Sequence, residues 1–236
     1  MNWDQLNEGL KAWGIQLDYD AEKFNQFANL VLSANETMNL TRITDQEEMV
    51  EKHFLDSLSL YRLPQFRGGE KYMDLGTGGG FPGMVLALTL PPESEILLMD
   101  SLRKRIAFLQ GVIDTMGVEN AVALHARAEE LARDGKYREQ YDVVVSRAVA
   151  RLDTLLEYAM GFVAVGGTFI AMKGQDGQRE LKEAKQALKL LHGEVVAVDE
   201  FELPGGDQRS LIVIEKTRAL EEKYPRGGGK PRKSPL

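Results

Sequence analysis

The decapeptide Asp74-Leu75-Gly76-Thr77-Gly78-Gly79-Gly80-Phe81-Pro82-Gly83 constrains this chain more than any other stretch. Its glycines let the backbone turn tightly and let a ligand approach the main chain with no β-carbon in the way, at a conformational cost that an empty turn would not justify. The residues before it, KYMDL, read as a strand, and Pro82 suits the first position of a following helix, whose free N–H groups face the turn.

The remainder repeats that alternation. EILLMD at 95–100 reads as a second strand, and Leu102, Ile106, Leu109, Ile113 and Met116 step by four, three, four and three, a helix that stops before Gly117. Residues 121–126, 141–145 and 167–173 give three more strands, with a helix around 152–160 between the last two. A charged helix spans roughly 178–191, and 194–201 pairs with 209–216 as a hairpin. This pattern predicts an α/β fold with a seven-stranded, mostly parallel sheet that binds its ligand outside the strands' carboxyl ends, at the switch point beside the first strand.

Residues 1–68 read instead as a helical segment packed on a core at 69–217. Phe24, Phe27, Leu30 and Val31 recur at helical spacing, as do Met49, His53, Phe54 and Leu58, and Thr44 with Glu47 forms a capping box. The basic segment 218–236, ending YPRGGGKPRKSPL, has no apolar periodicity and reads as mobile in the free protein. Its five cations, from Lys223 on, leave the rest of a chain of net charge -7 at -12. Any polyanion must therefore be held by local patches, with this segment the obvious candidate and a merely solubilising tail the blander reading.

Absences narrow the chemistry. Zero cysteines exclude disulfides, thiolate metal sites and a cysteine nucleophile. His53 shares a helical face with Met49 and Phe54, as a satisfied core histidine would; with His125 and His192 isolated, no metal is expected. No apolar run of about 18 residues exists, and MNWDQLNEGL lacks a leader's pattern, so a cytoplasmic, monomeric protein without membrane contact is expected.

Two ligands compete for the glycine loop. Gly78, Gly80 and Gly83 spell the dinucleotide pattern G-x-G-x-x-G, which alone is weak. Asp74 lies in the strand, where a carboxylate would oppose a pyrophosphate but suit the ammonium of S-adenosylmethionine (SAM). Asp100, ending the second strand, can accept ribose hydroxyls of either ligand. Asp74 favours SAM, with an NAD oxidoreductase as the alternative.

DLGTGGGFPG, together with LLMDSLRKR, HARAEEL, VVSRAVA, the upstream MNLTRI and HFLDSL and the closing YPRGGGKPRKSPL, resembles the bacterial small-subunit ribosomal RNA guanine-N7 methyltransferase family, RsmG or GidB. The resemblance covers nearly the whole chain and implies a Rossmann-like class I SAM-dependent methyltransferase acting on 16S ribosomal RNA or the small subunit. It implies that Gly76, Gly78 and Phe81 line the cofactor site beside Asp74, that Asp100 holds the ribose, and that Ala128 and Glu129 hold the adenine. Arg147 would contact cofactor or substrate, with Arg127 its companion.

Guanine N7 presents an in-plane lone pair without a proton, so transfer to it needs alignment and no general base. Cytosine C5 chemistry would need a cysteine, and amino-group methylation of adenine an Asn/Asp-Pro-Pro-aromatic sequence where Ser146-Arg147-Ala148 stands. Arg127, Arg147, Arg151 and Lys173 fall at or just beyond carboxyl ends of expected strands, and Arg147 and Arg127 are expected to grip phosphate or the guanine O6 edge unless nearby acids pair with them. A small-molecule methyltransferase, which the acidic body suits, stays open.

Overall fold

A computed structural model describes residues 1–66 and 70–236, so the expected boundary at Gly68-Gly69 lies outside the described residues. Strands β1 (Lys71–Leu75), β2 (Glu95–Asp100), β3 (Ala121–His125), β4 (Tyr141–Arg147), β5 (Val163–Lys173), β6 (Gly193–Glu202) and β7 (Gln208–Lys216) form one sheet in the order β3-β2-β1-β4-β5-β7-β6. The first five run parallel, and β7 enters antiparallel between β5 and β6. The expected hairpin is thus present, and the chain reverses its order across the sheet at β1, with β2 on one side and β4 on the other. That reversal opens a crevice above the carboxyl ends.

The central strands bury both faces, which is why they read as unbroken apolar runs rather than alternating ones. Tyr72, Leu98, Val143 and Val145 face one core; Met73, Leu97, Met99 and Val144 face the other. Over the first core lie α1 (Trp3–Ala12), α2 (Ala21–Met38), α3 (Gln46–Met49), a π-helical stretch Val50–Leu55, α4 (Asp56–Leu58), α5 (Gly83–Ala87) and α6 (Arg103–Met116). Trp3, Phe24 and Phe54 meet there at centroid distances of 5.0 to 5.6 Å, so the N-terminal helices share the sheet's core. Over the second lie α7 (Ala128–Leu131), α8 (Leu152–Ala159), α9 (Gly177–Glu183) and α10 (Lys185–Leu190).

Local readings needed correction in four places. Asp45, not Thr44, caps α3, its carboxylate accepting the Glu47 and Glu48 N–H groups at 2.9 Å. Leu102 precedes α6 and is exposed, while Val112 completes the buried stripe of Ile106, Leu109, Ile113 and Met116. The charged helix is two short ones that meet at Ala184.

The largest correction is the basic segment, which is folded. It lies along α8 and ends in the short helix α11 (Lys230–Lys233), with Tyr224 and Pro231 buried. Arg226 forks onto both carboxylate oxygens of fully buried Glu157, and the Arg226 N–H donates to the same group. Arg133 and Arg138 donate to the carbonyls of Pro225 and Tyr224 at 2.6 and 2.9 Å. Side chains of the body satisfy the segment's backbone, so it needs no periodic apolar face of its own.

Candidate active site

The glycine loop joins β1 to α5. Gly76 and Thr77 donate their N–H groups to the Met99 carbonyl at 2.8 and 3.0 Å, which tucks the loop against the end of β2. Gly76 has φ +79°, and a β-carbon there would stand 2.3 Å from Val149 Cγ2. Gly76→Ala should therefore cost about 1–3 kcal/mol of stability, to be read by urea unfolding; wild-type stability would mean that Val149 moves freely aside.

Asp100 secures the same loop. Its carboxylate accepts from Gly78 N–H (3.0 Å), Leu102 N–H (2.8 Å) and Arg105 Nη1 (3.2 Å). A carboxylate has about four acceptor positions, so one remains for a ligand hydroxyl unless Arg105 gives way. Asp74 lies beneath: Oδ2 accepts from Gly83 N–H at 2.8 Å, while Oδ1 and the buried Thr77 hydroxyl have no hydrogen-bond partner. Burial pushes the Asp74 carboxyl up to about 6, opposed by the Gly83 N–H and by the Thr77 hydroxyl, which lies near but outside hydrogen-bonding geometry.

Two cavities open along the carboxyl ends. The first, about 510 Å³, is walled by Gly76, Met99, Asp100, Leu102, Ala128 and Tyr158, with Arg127, Glu129, Gly229, Arg232 and Lys233 also on it. The second, about 600 Å³, is edged by His53, Asp56, Arg147, Met172, Lys173 and Arg209. They share a partition of Ala148, Val149 and Ala150, the residues that follow β4.

The second cavity is built around Arg147. Ser146 Oγ donates to the Leu75 carbonyl at 2.7 Å, locking the end of β4 to β1 and so fixing where Arg147 leaves the sheet. Its guanidinium donates to Asp56 Oδ2 (2.8 Å), to the Lys52 carbonyl (2.9 Å) and to His53 Nδ1 (3.0 Å). Arg209 Nε donates to the other Asp56 oxygen at 3.1 Å. Because His53 Nδ1 accepts, the ring proton sits on Nε2, 2.7 Å from Thr41 Oγ1. Burial and the Arg147 charge hold His53 down to about 3, so it is neutral. The π-helical stretch places Lys52 and His53 beside Asp56 on this wall, a departure from regular helix that recurs at functional sites.

The expected site residues therefore separate. Gly76, Asp100, Ala128, Glu129 and Arg127 meet on the first cavity. Arg147 is on the second, Asp74 and Phe81 are buried behind the walls, and half-buried Gly78 lines neither cavity. Phe81 is buried, stacked on His53 at 4.3 Å and beneath Arg147 at 5.8 Å, so it supports that pair rather than facing the first cavity. Lys173 is occupied by Glu180 (2.8 Å) and the Ala150 carbonyl (2.6 Å), and Arg151 by Glu183, so these two cations brace the partition. Asp56, Arg209, Val149 and Tyr158 were not singled out as site residues from sequence. The meeting of β4, β7 and the helical segment reveals Asp56 and Arg209, and the approach of α8 and the partition to the glycine loop reveals Tyr158 and Val149, although Arg209 does stand near the start of the last strand as a lone cation before an apolar run.

The family model described as GidB, rRNA small subunit methyltransferase G, matches residues 20–212. A protein named ribosomal RNA small subunit methyltransferase G from Thermoanaerobacter sp. (strain X514) is 44% identical over 235 residues, 99% of this chain and 98% of the relative. One of the same name from Lachnoclostridium phytofermentans is 46% identical over 231 residues, 97% and 95% of the two chains. Among solved structures, an O-methyltransferase from Bacillus cereus in complex with SAH superposes with a TM-score of 0.59 at 13% identity, covering 81% of this chain and 91% of that one. Aeropyrum pernix fibrillarin with natively bound S-adenosyl-L-methionine gives 0.53 at 15% identity, covering 68% and 73%. These two establish likeness of fold.

Proposed function

The chain belongs to the GidB family of rRNA small subunit methyltransferase G proteins, and from that membership we propose that it methylates N7 of a guanine in 16S ribosomal RNA, using SAM. The observation that carries this reading is the pair of cavities divided by Ala148–Ala150, one holding Asp100 and Glu129 beside the glycine loop and the other holding Arg147 and Arg209.

The first cavity fits the cofactor. Asp100 offers a remaining acceptor position for a ribose hydroxyl, Glu129 an acceptor for an exocyclic amine, and Met99, Leu102, Ala128 and Val149 apolar surface for a base. Beneath the loop, the partnerless Asp74 Oδ1 and Thr77 hydroxyl suit an ammonium, reached directly or through water. SAM supplies an electrophilic sulfonium methyl when bound.

The residues of the second cavity position and do not move protons. His53 has both nitrogens in hydrogen bonds, Asp56 is held between two arginines, and Glu180 is paired with Lys173. No unengaged base is available among them, and guanine N7 needs none. Arg147 and Arg209, fixed by Asp56, present donors suited to guanine O6 or a flanking phosphate. Ala148 and Val149 are exposed at the partition, so a bound cofactor and base would have to cover them to keep water from the line of transfer.

Asp74 gives this reading a pH signature. Its folded pKa lies above its ordinary value of 3.8, so the folded chain binds this proton more tightly than the unfolded one. Stability contributed by protonation is thus present at low pH and lost as pH rises through about 6. An ammonium reverses the preference, so SAM affinity should fall as pH drops below about 6, and Asp74→Asn should flatten the profile. His53, neutral above about 3, adds no inflection there. A flat wild-type profile in calorimetry would exclude Asp74 from the cofactor's ammonium.

The direct test is transfer of labelled methyl from SAM to small subunits and to deproteinised rRNA, both from cells lacking this activity, with nucleoside analysis. 7-Methylguanosine is expected. Label in another nucleoside would remove the base assignment, and no label with SAM bound would favour a small-molecule acceptor.

A further inference from the structure

We propose that the folded C-terminal segment is a preformed binding site for the RNA backbone, held open at the edge of the first cavity, rather than a flexible arm that orders on contact. The proposal rests on the RNA reading above and adds to it a surface and a mode of recognition.

Four of the five cations from Lys223 on divide between two jobs, while Lys223 lies over the Tyr224 ring. Arg226, bound to buried Glu157 and donating to the Ser234 carbonyl at 2.8 Å, is an anchor. Pro231 is buried, its carbonyl accepting from Thr154 Oγ1 of α8 at 3.2 Å. Arg226 and Ser234 flank α11 on either side, and Pro231 ties its middle to α8. The three cations between them, Lys230, Arg232 and Lys233, are exposed and have no ion-pair partner among the described residues. Nearly every other cation near the two cavities has an acid or carbonyl to hold.

Their position is also specific. Arg232 and Lys233 edge the same cavity as Asp100, Ala128 and Glu129, and Arg127, with a side chain 66% exposed, stands on it as well. Burial, with the Glu129 and Glu157 charges, pushes the Tyr158 hydroxyl up, and Arg232 and Arg127 oppose it, so these charges share one neighbourhood. Arg127 already has Glu129 at 4.0 Å, and a neutral adenine that used this acid would leave Arg232 and Lys233 without a counter-charge. An anion outside the cofactor is what they fit, and a strand whose base enters the neighbouring cavity brings phosphates along this edge. Because α8 fixes the backbone beneath them, these side chains bind without first paying to order a loose tail.

Rigidity makes a prediction opposite in sign to charge alone. Glu157→Gln removes an acid, so a flexible polycation would bind RNA as tightly or more tightly. If the anchored geometry matters, affinity for deproteinised 16S rRNA should fall on the order of tenfold. Glu157→Ala/Arg226→Ala leaves net charge unchanged and no lone buried charge, and should weaken binding similarly, with faster tryptic cleavage after Arg232 and Lys233 in a body that still melts cooperatively. Lys230→Gln/Arg232→Gln/Lys233→Gln should lower the log–log salt slope by about two, the value for three contacts to single-stranded phosphates. Wild-type affinity in both anchor variants, or an unchanged slope in the triple variant, would overturn the site. If the wild-type chain neither binds nor methylates rRNA, the functional reading fails instead, and the two failures are separable.

Discussion

Arg147→Met will lower methyl transfer by at least about a hundredfold, as small displacements at a reacting centre do, and will also cost about 3–5 kcal/mol of stability. The two losses share one cause. Arg147 is the donor for Asp56, for the Lys52 carbonyl and for His53 Nδ1, with side chains of Arg147 and Asp56 only 15% and 4% exposed. Removing it leaves buried Asp56 with Arg209 alone and the accepting nitrogen of buried His53 with no donor. It also unties the helical segment from β4, which Arg147 joins across 91 to 95 residues of sequence. A surface arginine would do neither. Arg147→Lys keeps the charge but cannot fork to three acceptors, so it should recover stability better than transfer. Denaturant unfolding and single-turnover transfer, measured on the same samples, distinguish the effects. Wild-type values in both would remove Arg147 from the site.

Deleting residues 223–236 should destabilise the protein by about 3–5 kcal/mol, because it strands a buried carboxylate. Glu157 is fully buried, and Arg226 is its only ion-pair partner among the described residues. Arg133 and Arg138 lose carbonyl acceptors at Pro225 and Tyr224 in the same step. The deletion is consequently a poor probe of RNA binding by itself. Adding Glu157→Met to the truncated chain should restore much of the loss, since an apolar side chain of similar size leaves no charge to strand. Thermal melts of the three chains check this, and an equal melting temperature for full-length and truncated proteins would mean that Glu157 finds another partner.

Much of this protein is written locally. The glycine turn after KYMDL, the four-three stepping of α6 and its end at Gly117, and the apolar runs of β2 and β4 each follow from short-range rules. Backbone conformation and side-chain period act over a few residues, so strand, turn and helix are legible before any tertiary contact is known. Asp74, Gly76 and Asp100 stand out for the same reason: their places on a strand end or turn are set by neighbours in sequence.

What the sequence left open depends on residues far apart in the chain. Lys173 and Arg151 look like free cations until Glu180 and Glu183 come alongside. Phe81 sits in a glycine motif, yet its ring packs against His53 from a different segment. The closing segment has the composition of a loose tail. It folds because Glu157, Arg133 and Arg138 wait on other elements to satisfy it. Ion pairs and capped carbonyls carry no periodicity, so no pattern announces them. Their partners are chosen by the topology of the sheet, and only that topology decides which charges are buried supports and which remain free to meet a substrate.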